Sequence, residues 1–239
     1  MFDAGKIVKY NNICLTGDFA EGFDTFCNGV DMSTNVTVAG LLRPCEKKWA
    51  AIYNVALVVA GSFLIALFAQ LAIGWPIPVT GQTFAVLMIG ALFGARRASL
   101  SVLAYIIEGA VGLPVFAYGR SGFAVLSGPT GGYLIGFIFA AYIVGLLAEK
   151  GWDRRIGTTI LAMIFGNLVI YAFGLLWLCC LILLMKLPVG SGRVLVEGLY
   201  RFIPGDLLKI ALAAIVLPSG WKLLSAYGIC HSKNSPDEV

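Results

Sequence analysis

Charge is what this chain has least of. Of its 239 residues only 13% are Asp, Glu, Lys or Arg, while 59% are hydrophobic; a soluble domain carries about 25% charged residues. Several apolar runs approach 20 residues, so the composition excludes a soluble globule and describes a polytopic membrane protein. Histidine is nearly missing, with His231 alone, and Cys14, Cys27, Cys45, Cys179, Cys180 and Cys230 form no C-x-x-C pair. Zinc and iron–sulfur spacings are therefore absent, and the cysteines read as reduced thiols. No G-x-x-x-x-G-K-[ST] loop occurs, which excludes a P-loop nucleotide site. H-E-x-x-H is absent and no Ser/His pair lies in an apolar run, which counts against an intramembrane hydrolase. The net charge of +4 is not gathered on a basic face, so nucleic acid is not an expected partner. Residues 1–20 lack the basic region and apolar stretch of a secretory leader.

What is present is a series of apolar segments. They run from about Trp49 to Ile73, Gly81 to Gly94, Ser99 to Leu113, Gly131 to Ala148, Ile156 to Met185 and Gly205 to Tyr227. These predict an all-α integral membrane protein with six transmembrane helices. The second and third are short, since 14 residues of helix rise only about 21 Å. Six crossings put both termini on one side, together with Lys47, Lys48, Arg96, Arg97, Lys150, Arg154, Arg155, Lys222 and Lys233. Positive charge in short loops marks the cytoplasmic side, so both ends are expected there and the chain in the plasma membrane. Residues 1–45 are polar, with five acidic against three basic residues. They read as a poorly ordered cytoplasmic extension, with a chain start at Met32 as an alternative. Residues 46–227 then form the membrane domain and 228–239 a cytoplasmic tail.

The opposite loops, "GWPIPVT" at 74–80, residues 114–130 and residues 186–204, are long and rich in Pro and Gly. Irregular backbone near membrane depth is tolerated where it lines a cavity. A ligand site is therefore expected at the outer end, roofed by these loops.

A few residues could carry recognition. Asp206 and Lys209 share a helix face at the front of an apolar run, where a charged group is costly. They are either a pair reaching for the membrane rim or a polar wall. A carboxylate near a helix N-terminus is favoured in its ionised form and accepts paired N–H groups. A lysine beside it donates to a carbonyl. Such a wall suits a neutral urea- or amide-like head group. Gly131 and Gly132 in "GPTGGYLIGF" permit close approach of a ligand or of another helix, and Tyr133 adds a ring and a hydroxyl. Arg120, among Phe116, Tyr118 and Phe123, is either a solvated cation or the partner of a ligand carboxylate. Glu108 is an acid within the third segment, suited to pairing with a base or to carrying a proton. Small residues in the first segment, Ala56 with Ala60 and Ser62 with Ala66, serve either internal packing or docking of another membrane protein.

Four ordered blocks, "PVTGQTF" at 78–84, "GLPVFA" at 112–117, "GPTGGYLIGF" at 128–137 and "FIPGDLLK" at 202–209, resemble the BioY family of biotin-specific S components of energy-coupling-factor transporters. The resemblance covers about residues 50–225. It implies six membrane helices, no ATPase site in this chain and no cofactor. It implies biotin captured from outside, and a transmembrane coupling protein with two ATPase subunits as partners. It places the ureido ring on Asp206 and Lys209, and Gln82 lies in the first block. The family's arginine and asparagine near the third loop have Arg120 and Tyr118 as candidates here. Its small residues on helix one, which contact the coupling protein, have Ser62 and Ala66 or Ala56 and Ala60. Glu108 and the 45-residue leader depart from the family pattern. Outside that family, the alternative is a self-sufficient secondary transporter driven by protons through Glu108.

Overall fold

The structure is a computed structural model. It describes residues 8–10, 13–15, 37–42, 44, 47–74, 77–184 and 196–226. The alternative start at Met32, the expected tail 228–239 and most of the loop at 186–204 lie outside these residues.

Each of the six apolar segments forms a helix. Two short strands, β1 (Val8–Tyr10) and β2 (Ile13–Leu15), pair antiparallel ahead of α1 (Val38–Leu41). The long helices follow as α2 (Lys47–Ala69), α3 (Gln82–Phe93) and α4 (Ala95–Val111). A small hairpin of β3 (Ala72–Ile73) and β4 (Val79–Thr80) joins α2 to α3. After the short α5 (Phe123–Ser127) come α6 (Gly131–Glu149), α7 (Ile156–Leu184) and α8 (Ile203–Ala226). Among the described residues, four helical stretches are long and apolar enough to cross a membrane: Lys48–Ala69, Gly131–Glu149, Ile156–Leu184 and Gly198–Leu224. Their outward faces carry bare apolar side chains such as Val55, Phe63, Phe165 and Leu212, as lipid contact requires.

α6 is central and packs on α3, α4 and α7, while α2 lies on α3 and α4, and α8 on α7 and α3. The close crossings depend on missing side chains. A Cβ on Gly145 of α6 would fall 2.3 Å from the Ala95 nitrogen, so only glycine lets the α3–α4 turn seat there. That turn has no loop: Gly94 alone reverses the chain, at φ 84° and ψ 170°. Glu149 at the end of α6 accepts a 2.9 Å hydrogen bond from the Ala95 N–H, which caps α4.

α1 also sits at this turn end. Ala39 and Leu41 are buried, and the Tyr53 hydroxyl donates to the Ala39 carbonyl at 3.1 Å. Residues 37–42, which composition groups with the N-terminal extension, thus pack against the bundle.

α3 is the short helix and also the most enclosed. Its twelve residues rise about 18 Å, against about 30 Å of hydrocarbon core. The path beyond its first residue is left to other groups, and that space is where the cavity lies. α7 makes the complementary excursion. Its last thirteen residues, past Tyr171, continue about 20 Å, and residues 196–202 run back beside them: Gly198 lies against Leu175 and Leu178.

Candidate functional site

The site grows from two helix starts that face each other. At α3, Thr80 and Gln82 tie the turn around Gly81. The Thr80 hydroxyl donates to the Gln82 side-chain oxygen at 3.0 Å, and the Gln82 N–H donates back to Thr80 Oγ1 at 3.3 Å. The Gln82 amide donates to the buried Tyr105 hydroxyl at 2.5 Å, which in turn donates to the Val115 carbonyl at 3.2 Å. At α8, Pro204 falls in the first turn, where a missing N–H costs nothing. Asp206 follows, and its N–H donates to the Phe202 carbonyl at 2.9 Å.

Asp206 is 4% exposed. A carboxylate so enclosed needs several donors. Lys209 Nζ lies 2.9 Å from Oδ1, Thr83 Oγ1 donates to the same oxygen at 3.4 Å, and the Tyr171 hydroxyl donates to Oδ2. Lys209 also donates to the Thr80 carbonyl at 2.8 Å and to Thr83 Oγ1 at 2.7 Å. Three ammonium protons meet three acceptors. The pair therefore lies inside the bundle and not at its rim.

In front of this cluster is a cavity with about 660 Å3 of empty volume, part of it open at the mouth. Its lining combines polar residues tied to the Asp206 cluster, Thr80, Gln82, Thr83 and Tyr171, with apolar Phe116, Phe137, Ile170 and Phe202, and includes exposed Arg120. Three loops meet above it at Gly74. The Tyr118 hydroxyl donates to the Gly74 carbonyl at 2.7 Å, and a Cβ on Gly74 would lie 2.5 Å from Arg201 Nη2. Gln70 closes the same roof, accepting from the Gly119 N–H at 3.1 Å and donating to the Phe116 carbonyl at 3.3 Å.

The residues singled out in the sequence separate into three groups. Gln82, Tyr133 and Arg120 line the cavity. Asp206 and Lys209 stand one layer behind it, bonded to Thr80, Thr83 and Tyr171 in its wall. Gly131, Gly132 and Tyr118 do not line it. A Cβ on Gly131 would meet the Leu126 carbonyl at 1.8 Å, and one on Gly132 would meet Trp177 Cβ at 2.1 Å, so these glycines pack helices. Tyr118 is a roof clasp, at φ 62° and exposed. Tyr133 presents its ring, because its hydroxyl donates to the Gly198 carbonyl at 2.8 Å.

The small residues of α2 also separate. Ser62 is 1% exposed, and its hydroxyl donates to Glu108 at 2.5 Å. It faces α4 and offers no outward docking surface, because the half-buried Glu108 of α4 draws its hydroxyl inward. Ala66 is half-buried, whereas Ala56 and Ala60 lie exposed. Thr80, Thr83 and Tyr171 were not among the expected site residues. The two threonines flank Gln82 in "PVTGQTF", and Tyr171 is the one phenol in the long apolar run of α7.

The BioY family model matches residues 39–226. The biotin transporter BioY of Rhizobium etli is 36% identical over 182 residues, covering 72% of this chain and 94% of that protein. The biotin transporter BioY of Thermotoga maritima is 35% identical, covering 67% of this chain and 87% of its own length. A crystal structure of the S-component for biotin from an ECF-type ABC transporter superposes with a TM-score of 0.63 at 26% identity. It covers 74% of this chain and 95% of that one.

Proposed function

The chain belongs to the BioY family, and from that premise we propose that it is the membrane subunit that captures biotin outside the cell for an energy-coupling-factor transporter. The observation that carries this reading is the mixed lining of the cavity, which combines a charge-backed polar set, aromatic rings and an exposed arginine. Biotin has matching parts, a planar ureido head, an apolar thioether ring and a carboxylate tail.

In this reading the ureido ring lies against the wall anchored by Asp206 and Lys209, with Gln82 beside it. The bicyclic ring packs on Phe116, Tyr133 and Phe202, at roughly 25 cal/mol per Å2 of apolar area removed from water. Arg120 holds the carboxylate. Hydrogen bonds involving charged groups contribute about 1.5–3 kcal/mol each, and the roof at Gly74 excludes the water that would weaken them. Binding is then tight and release slow, so release needs energy from elsewhere. A transmembrane coupling protein and two ATPase subunits supply it, docking on the exposed small residues of α2 at Ala56 and Ala60. The topology in this proposal is six crossings of the plasma membrane with both termini in the cytoplasm, the side where Arg96, Arg154 and Lys222 lie.

Calorimetric titration of biotin into the detergent-purified chain tests the capture step, with tight one-to-one binding expected. Absence of binding heat together with no retention of labelled biotin would sink it. The half-buried Ser62–Glu108 bond favours one second reading, proton-driven transport by this chain alone. Uptake into vesicles holding only this protein, abolished by collapsing the proton gradient, would support that reading instead.

A further inference from the structure

Resting on the biotin-capture reading and deepening it, we propose that Gln70, the residue that follows α2, is a positioning residue for Arg120. It acts through a hook of chain at Phe116–Arg120 and so makes the exposed end of the cavity selective for an acid. The hook is a closed loop of five residues. The Phe116 N–H donates to the Arg120 carbonyl at 3.0 Å, and the Phe116 carbonyl accepts from the Gly119 N–H at 3.0 Å. Its base is fixed, because the Phe116 ring is 2% exposed and meets Tyr105 edge-on with centroids 5.5 Å apart. Its tip is not self-supporting. Tyr118 lies at φ 62° and Gly119 at φ 66°, and a tyrosine holds the left-handed region only where its surroundings impose it. Tyr118, Gly119 and Arg120 are all exposed, so no packed core imposes it.

The contacts that hold the tip come from the end of α2. The Gln70 side-chain oxygen accepts from the Gly119 N–H at 3.1 Å, and its amide donates to the Phe116 carbonyl at 3.3 Å. The same amide turns back to the Ala66 carbonyl at 3.4 Å, which ties it to the last turn of α2. Both amide protons and the amide oxygen are thus engaged, so Gln70 is a clasp and not a ligand group. Four residues on, the Gly74 carbonyl accepts from the Tyr118 hydroxyl at 2.7 Å. Arg120 lines the cavity, and its guanidinium carbon lies 6.0 Å from the Tyr118 ring centroid, within reach of a cation–π contact. The direction of Arg120 therefore follows the hook, and the hook follows Gln70. An exposed cation that must be ordered to meet a carboxylate gains little, because the entropy of its long side chain offsets the pair. A cation already aimed by the loop keeps that gain.

The test titrates biotin and biotin amide into four full-length chains purified in detergent: wild type, Gln70→Leu, Arg120→Ala and the double variant. Gln70→Leu is expected to lose about three- to fivefold in biotin affinity, within the range of one neutral hydrogen bond, and to bind biotin amide as the wild type does. In the Arg120→Ala background, Gln70→Leu should cost biotin nothing further, since residues that act through one another do not add. Equal weakening of biotin and its amide, or additive losses in the double variant, would make Gln70 a general tie of the roof and overturn the assignment. Unchanged biotin affinity in Gln70→Leu would overturn it as well, as would an Arg120→Ala chain that binds biotin like the wild type. Should Gln70→Leu not fold, Gln70→Asn keeps the amide but withdraws it by one methylene from Gly119, and the same outcomes decide. A wild-type chain that binds no biotin refutes the capture reading itself, a result distinct from all of these.

Discussion

Two buried carboxylates, one towards each end of the bundle, carry opposite lessons. Asp206 at the loop end is 4% exposed and Asp153 at the turn end is 2% exposed, so burial does not separate them. Their company does. Asp206 receives a cation and two hydroxyls and backs the wall of a cavity. Asp153 lies in the connection between α6 and α7 and receives the Trp221 indole N–H at 2.6 Å, while its Oδ1 has no hydrogen-bond partner among the described residues. Arg154 stacks on the same indole, 4.7 Å from its centroid. Asp153 pins the second half of α8 to the α6–α7 connection. Asp206 ties the first turn of that same helix to Thr83 of α3 and Tyr171 of α7, both in the cavity lining. A buried acid is thus a candidate for recognition when its partners line an open space, and a structural tie when they do not.

Removing each carboxylate should separate these roles. Asp206→Ala is expected to have the largest effect on biotin. It leaves the Lys209 ammonium unpaired and frees Tyr171 and Thr83, and breaking a buried pair in this way costs about 3–5 kcal/mol. Calorimetry should show affinity reduced at least about a hundredfold. Arg120→Ala comes next, with a loss of about five- to tenfold, because its charge pair is exposed and contributes about 1 kcal/mol. That loss should disappear when biotin is replaced by biotin amide. Gly74→Ala strains a backbone at φ 96° by about 1–3 kcal/mol. It should raise the biotin dissociation rate a few-fold in a chase with unlabelled ligand.

Asp153→Asn is the smallest, with biotin affinity unchanged. Its effect should appear in the pH dependence of stability. Burial pushes the Asp153 carboxyl above its ordinary value of 3.8, against the opposing pull of Trp221, its own backbone and Arg154. The folded state therefore holds this proton more tightly than the unfolded chain does. The penalty for the ionised form is fully present above the folded pKa and is relieved as pH falls through it towards 3.8. Thermal unfolding of the purified protein should show a small gain over that window in the wild type, and the gain should be absent in Asp153→Asn.

The helices were legible because apolar run length is a strong signal: all six segments are helical, and the shortest of them, near Gly81 to Gly94, is the shortest long helix. The charged half of the wall was legible for the same reason, since Asp206 and Lys209 interrupt an apolar run. The neutral half was not. Thr83 and Tyr171 are tolerated in any membrane helix, and their role arises only when α3, α7 and α8 meet around one carboxylate. Glycine and small residues were ambiguous for a related reason. Gly132 would admit either a ligand or a tryptophan, and the fold supplies Trp177. Ser62 would suit either face of α2, and Glu108 on a neighbouring helix draws it inward.

The central claim is that the polar part of the cavity lining grips a urea-like head group. A structure of the chain solved with biotin tests it most directly. The account predicts the ureido ring against the polar lining of Thr80, Gln82, Thr83 and Tyr171 that Asp206 and Lys209 anchor, with the carboxylate tail towards Arg120. Biotin bound in the reverse direction, or outside this cavity, would contradict it.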